Sequence, residues 1–559
     1  MDKRFLLALA LTAIVVIATP WIFGTRSSSA NPKGVRSTVA AADSGNPARA
    51  VVPDSIPVTQ QPTRPALNTM PVVEASVADT MRVSSGLSDY RFTNLGAAPL
   101  SVDLKAYKAL DGSKRDVTLE SKSGRLVAYR LYLAGDTIDL NHVAFSGALA
   151  ESDSEHRVLT YTGATANTQI VIRYSFSPDS YVVRVSGQVQ NSLGSGGFVA
   201  IEMPTGLRSA EADSLDDQQH LAYAVKPQRD NARGIPFSKV DPGERRLEPG
   251  PITWVAAKNK YFIVGALTPT GGVPFAEVAI TGGPRTGRRA TEASAVAVAP
   301  IRNGAFSFEL YTGPQEWKRL LALGRGFENS NPYGGFLQGV VQPFATIVMR
   351  ILLWMRATLS LSYGWVLVIF GVAVRLLLWP LNQKAMRTSM KMSRLQPELA
   401  EIQKRYKADP QRMQSEIMRV YRDHGMSPFS SLSGCLPMLL PMPILFALFF
   451  VFQNTIEFRG VPFLWLHDIS LKDPYFIVPI VMGLSMFVLS IIGMRNSPPN
   501  PQAKMMAYVL PVMMTVFFLN LASGLNLYYA VQNLTAIPQQ WLIANERAKN
   551  TMTPAPART

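Results

Sequence analysis

Val366-Leu367-Val368-Ile369-Phe370-Gly371-Val372-Ala373-Val374-Arg375-Leu376-Leu377-Leu378-Trp379-Pro380 is an apolar run with one charge inside it. In a helix spanning 363–381, Arg375 lies about 18 Å from one end and about 9 Å from the other. Burying an arginine at such a depth costs about 2.5–3.5 kcal/mol on insertion scales. Two readings stand open. The long side chain snorkels to the nearer headgroups, or it faces a water-filled cavity lined by neutral polar groups.

Four more apolar stretches follow the pattern of bilayer spans, over 436–455, 475–494, 504–522 and 524–544. A sixth covers 5–24, just after Met1-Asp2-Lys3-Arg4. Its length of about 20 residues suffices for a hydrocarbon core of about 30 Å, so an uncleaved anchor is preferred. A signal peptide cut near Ser28-Ser29-Ala30 is the alternative. Six spans place both termini on the same side. The loop over 382–434 carries ten Lys/Arg against five Asp/Glu, which puts that side in the cytoplasm.

That loop is itself organised. Leu395, Leu399, Ile402 and Tyr406 recur at helical spacing, as do Met413, Ile417 and Val420. Asp409-Pro410 between them has the form of an N-cap followed by proline at the first helical position. The pattern predicts an antiparallel helical hairpin within 383–430. Its apolar stripe is read as the hairpin's own seam, with a Met-rich partner surface as the alternative.

The other half of the chain has a different texture. Residues 25–80 are rich in Ala, Ser, Thr, Val and Pro and read as an extended linker. From 81 to 325, short alternating runs separated by turn residues predict an all-β domain. Thr168–Phe176, the turn Ser177-Pro178-Asp179-Ser180 and the run 181–189 form one hairpin. The runs 254–257 and 261–267 form another, joined by Lys258-Asn259-Lys260. Following the first span, this domain lies in the periplasm. The amphipathic stretch 336–355, within a segment 331–357, reads as a helix lying in the membrane interface, or else as a surface helix capping the β-domain.

Composition agrees with such a division. The 559 residues are 47% hydrophobic and 17% charged, with a mean hydropathy of +0.10, too greasy for a soluble enzyme. Much of the net charge of +16 flanks the spans, and no basic run interleaves with aromatics, so direct nucleic-acid recognition is not expected. The single cysteine, Cys435, excludes an intramolecular disulfide framework and a cysteine-rich zinc site. There is no Walker A loop, no His-Glu-x-x-His and no Gly-x-Ser-x-Gly. No predicted span contains Asp or Glu, and all five histidines lie outside the spans. These facts argue against intramembrane proteolysis and carboxylate-coupled transport. No catalytic residue, metal site or cofactor is expected.

What remains inside the membrane is Arg375 with the amides and phenols of the last span: Asn526, Tyr528, Tyr529, Gln532 and Asn533. A hydrated groove open to the cytoplasm would satisfy them, and hydrogen bonds that tie the bundle together are the alternative. Such a groove shortens the apolar distance that the polar flank of a membrane-crossing segment must cover. Its fixed positive charge would attract an acidic flank without any nucleotide.

At these residues the chain resembles the YidC/Oxa/Alb family of membrane insertases, in its Gram-negative form with a large periplasmic domain. The β-half carries Thr160-Tyr161-Thr162, Trp254-Val255-Ala256, Tyr261-Phe262 and Gly313-Pro314. The membrane half carries Val374-Arg375, Trp379-Pro380-Leu381, Gly434-Cys435-Leu436-Pro437, Met442-Pro443-Ile444, Asp473-Pro474-Tyr475 and Ser523-Gly524-Leu525. The resemblance implies a multi-domain membrane protein of the inner membrane. It combines a six-span helical bundle and cytoplasmic hairpin (core 358–545, short tail 546–559) with a periplasmic β-supersandwich. It implies that Arg375 is the groove charge, and that Met442, Pro443, Phe517 and Phe518 flank a client path between the third and fifth spans. Tyr529 also matches a position lining that path. Implied partners are nascent integral membrane proteins, membrane lipid, the Sec translocon with its accessory subunits, the signal-recognition pathway and the ribosome. Two positions depart from the family pattern: Pro441 where a glutamine is common, and Gly371 where some relatives have a hydroxyl residue. Gln532 is the expected substitute. A membrane-anchored periplasmic carbohydrate-binding or envelope-polysaccharide enzyme is the competing reading. It would need a carboxylate pair in the β-domain, where Glu211, Asp213, Asp216 and Asp217 cluster in an expected loop.

Overall fold

The computed structural model describes residues 78–552 apart from 135, 152–156, 192–193, 195, 288, 332–337, 408, 425–441 and 495–500. The first span, most of the linker and Pro441 therefore lie outside the described residues, as do the side chains of Met442 and Pro443.

The alternating half folds as expected. β1 (Thr168–Phe176) and β2 (Val182–Asn191) pair antiparallel, with every second residue of β1 buried. That period of two puts one face of each strand into a common core. β3 (Arg245–Lys258) pairs antiparallel with β4 (Phe262–Leu267) in register Trp254↔Leu267, giving the second expected hairpin. β5 (Ala305–Pro314) joins the two hairpins, pairing with both β2 and β4. These strands belong to a 14-stranded sheet, beside a 4-stranded one that begins at Thr80. Trp254, Tyr174, Tyr223 and Phe262 are fully buried in one common core.

The acidic cluster departs from its loop reading. Residues Ser214–Gln219 form a short helix, α1, with the Asp213 carboxylate accepting a hydrogen bond from the Asp216 backbone N–H at 3.0 Å. Asp213 sits where a helix leaves four amides unpaired, so this carboxylate serves as a cap. After α2 (Trp317–Leu323) the chain enters its helical half through α3 (Gln338–Leu359). α3 buries Val341, Ala345, Val348 and Leu352 and exposes Phe344, Ile347, Ile351 and Trp354 on another stripe.

α4 (Tyr363–Arg405) is a single helix of 43 residues, so the span holding Arg375 continues unbroken into the hairpin. α5 (Pro410–Asp423) folds back on it, with Asp409 capping the Arg412 N–H at 3.0 Å and Pro410 in the first turn. Leu395 and Leu399 are buried against Val420 and Tyr421, so these four residues form the hairpin's own seam.

The remaining helices are α6 (Met442–Asn454), α7 (Ile477–Met494), α8 (Pro501–Phe518) and α9 (Ser523–Met552). Among the described residues, two stretches are long and apolar enough to cross a bilayer, Tyr363–Gln383 and Ile477–Met494, with Ala507–Phe518 a shorter apolar helix. The expected count of six spans thus exceeds what these residues display. The physical reason is plain in α9, whose Asn526, Gln532, Asn533, Gln539 and Gln540 lower its hydropathy, and in α6, whose expected first residues lie outside the description. α9 packs between α4 and α7, α8 packs on α7, and α6 packs on α3.

Candidate functional site

α9 meets α4 along a row of glutamines. Gln532 Nε2 donates to the Gly371 carbonyl at 2.7 Å. Two turns further on, Gln539 Nε2 donates to the Trp379 carbonyl at 3.2 Å, and Gln539 Oε1 accepts from Arg375 Nη2 at 2.7 Å. Residues seven apart share a helix face, so both amides look toward α4. Arg375 is therefore held inside the bundle by a neutral amide, one turn from Trp379. Its Nε is buried with no hydrogen-bond partner among the described residues.

Gln539 is absent from the expected set, and it is the residue that touches the arginine. The sequence signal available was its position seven after Gln532. Gln532, the expected substitute, instead bonds the backbone at Gly371. The departure at Gly371 acquires a packing reason, because a Cβ there would stand 3.0 Å from Val531 Cγ1. A side chain there would require Val531 to give way by a few tenths of an ångström.

The other expected groove residues divide between two faces of α9. Tyr528 is buried with its ring 5.8 Å from Phe370 of α4. Asn533 donates to the Met482 carbonyl of α7 at 3.3 Å, tying α9 to its other neighbour. Tyr529 packs against Phe518 at 5.2 Å, and Phe517 and Phe518 lie 5.7 Å apart at the end of α8. Phe518 is buried and Phe517 only partly so. Met442 and Pro443 open α6.

The ends of these helices are held by the loop 455–476. Asp473 is fully buried and accepts from Trp465 Nε1 (3.3 Å), the Tyr475 N–H (3.0 Å) and the Val478 N–H (2.7 Å), which starts α7. Asp468 accepts from the Ser470 N–H and hydroxyl. The Gly524 N–H, at the start of α9, donates to the Ile469 carbonyl at 2.9 Å.

The same loop binds the β-domain. Arg459 Nε lies 2.8 and 2.9 Å from the two carboxylate oxygens of Glu211, and both side chains are about 95% buried (5% and 6% exposed). The Arg459 guanidinium also sits over the Tyr261 and Phe262 rings. The Tyr261 hydroxyl donates to Ser470 Oγ at 3.0 Å, and Asp217 accepts from the Lys260 N–H and Asn259 Nδ2. Burial pushes the Glu211 carboxyl up to about 7, with Arg459 pulling the other way. All four clustered acids are thus occupied: Glu211 by Arg459 across the contact, Asp217 by Asn259 and the Lys260 N–H, Asp216 by the Lys260 ammonium at 2.7 Å, and Asp213 as a cap.

The chain matches known proteins in both halves. Residues 354–550 match the family described as 60Kd inner membrane protein, and residues 80–347 match the YidC periplasmic domain. The membrane protein insertase YidC of Prosthecochloris aestuarii is 32% identical over 488 residues, covering 82% of this chain and 81% of the relative. That of Chlorobium phaeovibrioides is 32% identical over 514 residues, covering 86% of each. Among solved structures, an active YidC insertase with its first transmembrane domain resolved is 16% identical. It covers 85% of this chain and 93% of its own, with a TM-score of 0.32. Two family matches that divide the chain between its β-half and its helical half, and relatives matched across both halves, lead to one conclusion: the chain belongs to the YidC family of membrane protein insertases.

Proposed function

We infer that this chain is an inner-membrane insertase that receives nascent integral membrane proteins and passes them into the lipid bilayer. Family membership supports the activity, and the setting of Arg375 supports the mechanism. Among the described residues, this guanidinium inside an apolar span donates to an amide, Gln539, and its buried Nε has no hydrogen-bond partner. A buried charge so placed calls for water, which favours a hydrated groove over a structural ion pair. An acidic flank of a client would be drawn to Arg375, while burial of the client's own apolar segment in lipid drives release. In this reading the chain has six spans with both termini cytoplasmic and the β-domain periplasmic. α3 lies in the interface with Phe344, Ile347 and Trp354 toward lipid, and clients pass Met442, Pro443, Phe517 and Phe518. The Sec translocon, the signal-recognition pathway and the ribosome are its proposed partners.

A charge series at Arg375 tests this function. Insertion of a small client with an acidic flank should fall in the order Arg, Lys, Ala, Glu. Full activity of Arg375→Glu on such a client would refute attraction by the charge.

A further inference from the structure

A cavity of about 540 Å³ lies where the β-domain meets the helical half. Leu215, Asp216 and Lys260 form its β-domain side; Phe449 and Phe452 of α6 and Leu521, just beyond α8, form the other. α6 and α8 are the two helices between which the client is proposed to pass, and the cavity lies at the ends nearest the β-domain. We propose that the β-domain forms the far wall of the client path. In this role the cavity receives the translocated polar flank of a nascent membrane protein as it leaves the space between α6 and α8. This rests on the insertase reading above.

Three observations favour an extended peptide as occupant. The cavity is of the size that takes small ligands, and hence a few residues of chain. Its lining mixes an apolar floor (Phe449, Phe452, Leu525) with charges of both signs, Asp213 and Asp216 against Lys260 and Lys472. Lys260 is already engaged by Asp216 at 2.7 Å, so the lining offers no cluster of free cations for a phosphate headgroup. Finally, the β-domain is fixed in this position. The buried Glu211–Arg459 pair and the Tyr261–Ser470 bond join it to the loop that also anchors the start of α9. Leu215, 48% exposed on α1, projects an apolar side chain at the cavity wall with no core to fill.

A photo-crosslinking amino acid placed singly at Leu215, Phe517 or Phe198 of the full-length protein, in membranes with a stalled single-span client, tests the proposal. Phe198 is exposed on the β-domain away from the cavity lining and serves as the control. The expected result is capture of the client's apolar segment from Phe517. Capture of its translocated flank from Leu215 should exceed that from Phe198 several-fold. Capture from Phe517 with none from Leu215 overturns the wall while leaving the insertase path intact. Capture of phospholipid rather than client at Leu215 overturns it in favour of a headgroup site. Failure at Phe517 as well would remove the path itself, and the wall with it.

Discussion

Arg375 and Gln539 meet across two helices, the guanidinium donating to the amide oxygen at 2.7 Å, although 164 residues separate them in the chain. Charge and partner are separable by mutation. Gln539→Leu removes the hydrogen bond but keeps the charge, so insertion should fall less than in Arg375→Ala. Its thermal stability should drop by about 1–3 kcal/mol for the stranded donor. Gln539→Glu supplies a carboxylate to Arg375 and should stabilise the bundle while reducing insertion of acidic-flanked clients further. Greater activity in the Glu variant than in the Leu variant would contradict the free-charge mechanism.

The interdomain ion pair carries a second prediction. Arg459→Ala leaves Glu211 buried without its partner, and breaking such a pair costs about 3–5 kcal/mol. Replacing both residues, as Glu211→Leu with Arg459→Met, should restore much of that loss. A thermal-unfolding double-mutant cycle in detergent would read the coupling. Additive single effects would show that the pair does not act as a unit.

Close approach at the start of α9 supplies a third. A Cβ on Gly524 would stand 2.4 Å from the Phe452 ring and 3.1 Å from the Ile469 carbonyl. Gly524→Ala should therefore lower stability by about 1–3 kcal/mol through overpacking. Gly112 has open space around its Cβ position but a φ of +91°, so any loss in Gly112→Ala reflects backbone strain alone.

Glu457 gives a pH signature. Burial raises its carboxyl from the ordinary 4.5 to about 7, and its Oε2 has no hydrogen-bond partner among the described residues. The folded state keeps a proton that the unfolded chain releases. The contribution of this group is thus fully present below about pH 4.5 and lost as pH rises through about 7. Glu457→Gln removes the dependence. Its melting temperature should match the parent at pH 5 and exceed it at pH 8. An equal difference at both pH values would contradict the assignment.

Much of this was legible in the residues, for local reasons. The two hairpins around 177–180 and 258–260 follow from alternation interrupted by turn residues, and the α4–α5 hairpin from heptad-like spacing and the Asp409-Pro410 cap. Long-range contacts were not legible. Gln539 is one amide among several in the expected last span until the packing of α9 on α4 places it beside Arg375. Glu211 finds Arg459 across 248 residues, and nothing near either residue in the chain announces the other. The spans themselves were blurred by the same polar groups that line the helix contacts, since each amide that joins α9 to its neighbours also subtracts from its hydropathy.

The central claim is tested most directly by purifying the full chain, reconstituting it into liposomes and supplying a small single-span client, with protease protection of the translocated flank as the readout. Proteoliposomes should protect the client well above empty liposomes, and those carrying Arg375→Glu should protect an acidic-flanked client poorly. Protection no greater than in empty liposomes would contradict the account.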